Sequence, residues 1–190
     1  FARSLTIGEG ISGILQWNAT SNAMTVKFNL SIRSGARFLV HTTGSVGQTV
    51  NIGGNFTNDG YANLAAATTL LNFNGSQIGG SSNQILGGSG SFQGNGTSGI
   101  IRSLSFQTTG NSTINTAQNI VTSGFAHTAG NLSTNDKLII DNTIAVYGQQ
   151  LNLQVASIAV TNMGVAYSNV PVIFGAIASL WVASATGTAD

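Results

Sequence analysis

A short phrase returns again and again between Leu30 and Leu132: an apolar residue, then Ser or Thr, then a polar or Gly-rich break before the next apolar stretch. It reads Asn29-Leu30-Ser31-Ile32, then Asn55-Phe56-Thr57, then Ser103-Leu104-Ser105-Phe106, then Asn131-Leu132-Ser133. With Leu86 as a weaker copy, the landmarks Leu30, Phe56, Leu86, Leu104 and Leu132 stand 26, 30, 18 and 28 residues apart. Repeats of that length, in β-prone residues punctuated by Gly and Asn, mark a stacked solenoid. One such unit has an apolar face that only its neighbour can cover, so the chain must stack in order to fold.

The local pattern agrees. Apolar residues recur near period two, and Ser-, Thr-, Asn- and Gly-rich stretches interrupt every helical candidate. Met24, Val26, Phe28, Leu30 and Ile32 alternate strictly and are expected on one face of a strand. Asp59-Gly60, Asn74-Gly75 and Asn95-Gly96 are turn dipeptides. Ala62–Leu71 is the one soft helix candidate, and Thr68-Thr69 argues against extending it. The expected core is Val26, Phe28, Leu30, Ile32, Ile52, Phe56, Leu71, Phe73, Ile85, Leu104, Phe106, Ile120, Leu132, Leu138 and Ile140.

Composition narrows the function classes. Charged residues make up 6% of the chain, against about 25% in ordinary soluble domains. With 42% hydrophobic residues the chain still has enough apolar material for a core, so disorder is not expected. Six Lys and Arg, spread along 190 residues with a net charge of +1, make no basic patch for nucleic acid. There is no Cys, which excludes disulfides and thiolate metal sites. Phe1 opens directly into strand-like sequence, as a processed or excised chain would.

The chain divides into a lead-in with the exposed-looking Trp17 (1–23), the repeat (24–142), and a last part (143–190) with no charge between Asp141 and Asp190. Within the last part, Val170–Val182 is the most hydrophobic run. Its 13 residues are too few to span a membrane as a helix, which needs about 20. Val170, Val172, Ile173, Phe174, Ile177, Leu180, Trp181 and Val182 are therefore expected to form a buried β cap or a subunit interface.

Three phrases carry a family resemblance: Gly53-Gly54-Asn55-Phe56-Thr57-Asn58-Asp59-Gly60; Phe73-Asn74-Gly75-Ser76 with Asn83-Gln84-Ile85-Leu86-Gly87; and Gly130-Asn131-Leu132-Ser133-Thr134-Asn135. Over residues 24–142 the chain resembles the parallel β-helix repeat regions of secreted Bacteroidetes surface proteins. That resemblance implies an exported, often adhesive repeat protein, commonly sent out by the type IX route. Residues 143–190 depart from the pattern.

Chemistry-bearing residues are sparse. The acids are Glu9, Asp59, Asp136, Asp141 and Asp190, and the imidazoles are His41 and His127. Asp136 and Asp141 are the only close acidic pair, and their odd spacing sends them to opposite faces of a strand. No G-x-S-x-G elbow is present. His41-Thr42 and His127-Thr128 look like equivalent repeat positions, but no third metal ligand follows. The matches Gly8–Gly13 and Gly94–Gly99 to G-x-G-x-x-G lack an acid about 20 residues on, and read as turns. Adjacent Thr pairs such as Thr42-Thr43 and Thr108-Thr109 do not make a Thr-x-Thr ice-binding rank. Asn18, Asn29, Asn55, Asn74, Asn95, Asn111 and Asn131 occupy glycosylation sequons. Three of these, Asn29, Asn55 and Asn131, coincide with the repeat landmark, where an Asn ladder is the alternative use.

The expectation is an all-β chain: a right-handed parallel β-solenoid of about five rungs with a hydrophobic β C-terminal cap or assembly segment. A pilin-like β-sandwich is the alternative fold. The expected function is non-enzymatic: an extracellular, cell-surface structural or adhesive protein that self-associates into a homo-oligomer or filament, with surface glycans as further partners. No cofactor, metal, nucleic acid or membrane span is expected. The rival is a glycan-binding or glycan-cleaving β-helix using Trp17, Tyr61, Tyr147, Tyr167 and Trp181 as stacking residues.

Overall fold

The computed structural model describes residues 2–9, 12–17, 23–40, 48–66, 69–146, 151–153 and 178–180. Over these the chain is an all-β parallel solenoid of about five turns. The first turn is β1 (Leu5–Ile7), β2 (Gly13–Trp17) and β3 (Met24–Val26), and the second is β4 (Leu30–Ile32), β5 (Ala36–Val40) and β6 (Thr49–Ile52). A third turn, β7 (Phe56–Asn58), β8 (Tyr61–Asn63) and β9 (Leu70–Phe73), is followed by the short helix α1 (Gly75–Ile78) at the corner. Then come β10 (Gln84–Gly88), β11 (Ser91–Phe92), β12 (Ser98–Ile100) and β13 (Ser103–Phe106). The remaining strands are β14 (Asn111–Thr116), β15 (Asn119–His127), β16 (Asn131–Ser133), β17 (Leu138–Val146), β18 (Leu151–Leu153) and β19 (Ala178–Leu180).

Stacking of successive turns gives three walls. In the first, β1, β4, β7, β10, β14, β16 and β18 run parallel, and β19 joins antiparallel at the end. The second wall holds β2, β5, β8 and β11. A third runs β3, β6, β9, β13, with β15 beyond and β17 on its far side. Inward side chains form columns, because period-two alternation points the same positions to the core in every turn. Leu30, Phe56, Leu86 and Ile114 make one column of the first wall. Its members are 26, 30 and 28 residues apart. In the third wall Ile52, Phe73 and Phe106 are in register, and the two phenyl rings stack at 4.8 Å and 10°.

Several expectations need correction. Leu104 is not the next member of the Leu30–Phe56–Leu86 column: it lies in the third wall, in register with Leu71 and Phe125, and Ile114 takes the place assigned to it. Met24–Ile32 is not one strand. β3 ends at Val26 and β4 starts at Leu30, and Phe28 stands half-buried at the corner between them, flanked by Arg3 and Lys27 at 5.6 and 5.8 Å from its ring centre. Ile85 faces out at 43% exposure, and Ile140 is only partly buried. The other twelve expected core residues are buried. Trp17 is half-buried against the core in register with Val40, not exposed. No helix starts at Ala62, because Tyr61–Asn63 is a strand; the one helix among the described residues is α1.

The corners explain the Gly pairs. A Cβ on Gly53 would lie 1.9 Å from the Lys27 carbonyl oxygen, and one on Gly54 would lie 2.4 Å from Asn29 Oδ1. Each corner folds directly under the previous one, leaving no room for a side chain. The 30-residue step from Phe56 to Leu86 includes the corner insertion that holds α1. Fully buried Gln84 fastens that insertion: its Nε2 donates to the carbonyls of Ile52 and Gly54, both at 2.8 Å, and its Oε1 accepts from the Gly75 N–H at 3.0 Å.

The second wall ends at β11. The next turn passes from β14 straight into the nine-residue β15, which pairs with β12 through its first half and with β13 through its second. One long strand thus runs along two shorter strands of the same sheet, and turns shorten: Ser112 pairs with Leu132, 20 residues on. The Phe92 N–H, left without a next strand, is taken by Gln118 Oε1 at 2.7 Å, while Gln118 Nε2 donates to the Gly96 carbonyl at 2.6 Å. One side chain stands in for the missing strand.

Candidate functional site

The sequon asparagines largely line up along the edge of the first wall. Asn29 Oδ1 accepts from the Asn55 N–H at 2.9 Å, and Asn55 Oδ1 accepts from the Ile85 N–H at 2.9 Å. The line then steps back two residues. Asn83 Oδ1 accepts from the Asn111 N–H at 2.8 Å, and Asn131 Nδ2 donates to Asn111 Oδ1 at 3.1 Å. This is the Asn ladder expected at Asn29, Asn55 and Asn131, with Asn83 as a member that no sequon points to. Asn74 is buried and donates to Asn51 Oδ1 at 3.3 Å, whereas Asn29, Asn95, Asn111 and Asn131 are exposed. Asn18 lies outside the described residues.

The outer face of the first wall is mostly polar, with exposed Ile85 as an apolar member: Thr6, Ser31 and Thr57 are in register, and Thr113 pairs with both Ile85 and Ser133. Gly87 interrupts the hydroxyl column after Thr57, so no continuous Thr rank forms. Of the five rival stacking residues, Trp17 packs inward and Tyr61 lies on the second wall with the Arg37 guanidinium 5.0 Å over its ring. Tyr147, Tyr167 and Trp181 lie outside the described residues.

Asp136 sits in the turn before β17 with φ 58°, and Asp141 is exposed on β17. Thr122 pairs with Ile140 and Gly124 with Thr143, so Asp141 and Asn142 share the space opposite Ser123 in a bulge. Among the described residues, no three His, Cys, Asp or Glu side chains group so as to hold a metal ion. His41 lies outside the described residues.

His127 was not expected to be special, yet it occupies the inward column directly after Phe73 and Phe106. It is fully buried and neither ring nitrogen has a hydrogen-bond partner. Desolvation therefore holds its pKa below the ordinary 6.5, against a smaller opposing pull from the backbone of Ala129 and Gly130.

The remaining candidate is the pair of coil ends. Among the described residues β1 pairs only with β4, which leaves its other edge without a partner strand. On the same side β3 receives only the short bridge from Ala2. Edges of this kind present a row of N–H and C=O groups that another strand can pair with. At the other end β18 pairs antiparallel with β19, placing Leu180 opposite Leu151. Three residues of the hydrophobic run thus close the last wall as a strand. Val170, Val172, Ile173, Phe174, Ile177, Trp181 and Val182 lie outside the described residues. No described helix is long and apolar enough to cross a membrane.

No protein-family model, curated protein or solved structure matches the chain. The class that the fold defines is the parallel β-solenoid, with a stacked Phe73–Phe106 pair in its third wall and an antiparallel strand, β19, paired to β18.

Proposed function

We propose that this chain is a non-enzymatic structural or adhesive protein of an extracellular cell surface, a building block of a fibre or filament. Strand addition at the coil ends and apolar contacts through the C-terminal run join the copies. The observation that carries the reading is the one-sided pairing of β1 among the described residues, which leaves a parallel edge at the first turn. A chain with 6% charged residues and a net charge of +1 adds little repulsion between copies. Kinship with the secreted Bacteroidetes surface repeats belongs to the same proposal, and the corner phrases at Gly53–Gly60 and Gly130–Asn135 support it.

Sedimentation across a concentration series, with negative-stain microscopy, tests it: rods that lengthen with concentration are expected. A monodisperse monomer at every concentration overturns the reading. Protease shaving of intact cells tests the location, with loss of the protein expected before any cytoplasmic marker is cut.

A further inference from the structure

The three turn dipeptides that put Asp or Asn before Gly are not held alike. At Asp59-Gly60 the Gly60 N–H donates to Asn58 Oδ1 at 3.2 Å. At Asn74-Gly75 the Gly75 N–H donates to Gln84 Oε1 at 3.0 Å, and Asn74 is buried. At Asn95-Gly96 no acceptor takes the Gly96 N–H among the described residues. Both residues are exposed, at the tip that the Gly94–Gly99 bridge closes. Gly96 has a φ of 89° and nothing within 4 Å of the place a Cβ would take. Asn95 Oδ1, by contrast, is held twice: it accepts from the Ser98 N–H at 3.0 Å and from Thr97 Oγ1 at 3.3 Å.

We propose that Asn95 is a self-modification site, at which the Gly96 backbone nitrogen displaces the side-chain amide. The nitrogen attacks Asn95 Cγ and gives up its proton to water; the Cγ–Nδ2 bond breaks and ammonia leaves. The cyclic imide so formed adds water at either carbonyl, giving Asp or its β-linked isomer at position 95. As the nitrogen attacks, charge grows on Oδ1, where the Ser98 and Thr97 donors already stand. The tip thus offers an unheld nucleophile and a polarised carbonyl, whereas the fold withholds the nucleophile at Asn74. Either product adds a carboxylate, which cancels the net charge of +1. The β-linked product also lengthens the main chain inside the turn whose Gly96 carbonyl anchors Gln118, the residue that takes the Phe92 N–H where the second wall ends. The inference stands apart from the filament reading.

Peptide mass spectrometry after incubation of the intact folded protein at mildly alkaline pH tests it. Conversion is expected at least about tenfold faster at Asn95 than at Asn74, which reacts only from opened molecules. In urea the two rates should converge, because the unfolded chain holds neither glycine. Thr97→Val should slow conversion of Asn95 about threefold, the share of one exposed hydrogen bond, with circular dichroism to check that the variant folds. Equal rates at the two sites in the folded protein, or the same ratio kept in urea, overturn the site. A Thr97→Val chain that converts as fast as the parent overturns the part given to the hydroxyl.

Discussion

His127 offers a direct measurement of what burial does inside this coil. The ring is fully buried with two unbonded nitrogens, and its pKa lies below the ordinary 6.5. The strands paired with β15 bring one charged residue, Asp141, and it is exposed. Above pH 6.5 the ring is neutral whether the chain is folded or not, and pH does not matter through this group. As pH falls below 6.5, the unfolded chain takes up a proton that the folded chain refuses, so stability present at neutral pH is lost on acidification. The loss cannot exceed about 1.4 kcal/mol per pH unit below 6.5. With a urea slope of about 2 kcal/mol per molar, the unfolding midpoint therefore falls by no more than about 1 M between pH 7 and pH 5. Urea unfolding at pH 7, 6 and 5 checks it on the parent and on His127→Phe, whose ring extends the Phe73–Phe106 stack. The parent midpoint should fall with pH while the variant's stays nearly level. Parallel curves for the two proteins would refute the reasoning.

Gln118→Leu should cost about 1–3 kcal/mol in thermal unfolding, because the Phe92 N–H loses its acceptor and the Gly96 carbonyl its donor. Gln84→Leu removes three hydrogen bonds from a fully buried site and should cost about 3 kcal/mol or more, read as a lower urea midpoint. Gly53→Ala should destabilise far more than Gly96→Ala in the same melting assay. At Gly53 the new Cβ meets a backbone carbonyl at 1.9 Å, while at Gly96 nothing lies within 4 Å and only the φ of 89° costs about 1 kcal/mol.

The solenoid was legible because its first-wall phrase returns once per turn, and Leu30, Phe56 and Leu86 do stack. Assignment to walls was not. Leu30-Ser31-Ile32 and Leu104-Ser105-Phe106 have the same local pattern, since every wall of a coil is built on the same in–out alternation, so a landmark slid from one wall to another. The alternation from Met24 to Ile32 likewise ran on across a corner, where a bend of the backbone leaves the period of two undisturbed. Polarity misled at Gln84 and Ile85. The polar residue turns in and the apolar one out, because the corner carbonyls of Ile52 and Gly54 require a donor that only the amide provides. Among the candidate surfaces, the Asn ladder was readable from sequon spacing. The unpaired edge of β1 was not, because edge status depends on which strand comes next in space rather than in sequence.

The early end of the second wall has a consequence for any stack of these coils. The cross-section at the first turn has three sides, whereas among the described residues the turns that begin at β14 and β16 are shorter and made of two strands each. Three-sided and two-sided cross-sections cannot merge into one seamless coil. Each junction leaves a notch on the second-wall side, repeating once per molecule. At about 4.8 Å per strand, the seven parallel strands of the first wall space these notches at least roughly 34 Å apart. Fibre diffraction from such a stack would carry a layer line at that longer repeat beneath the strong strand spacing, set by the length of one molecule rather than by the fold.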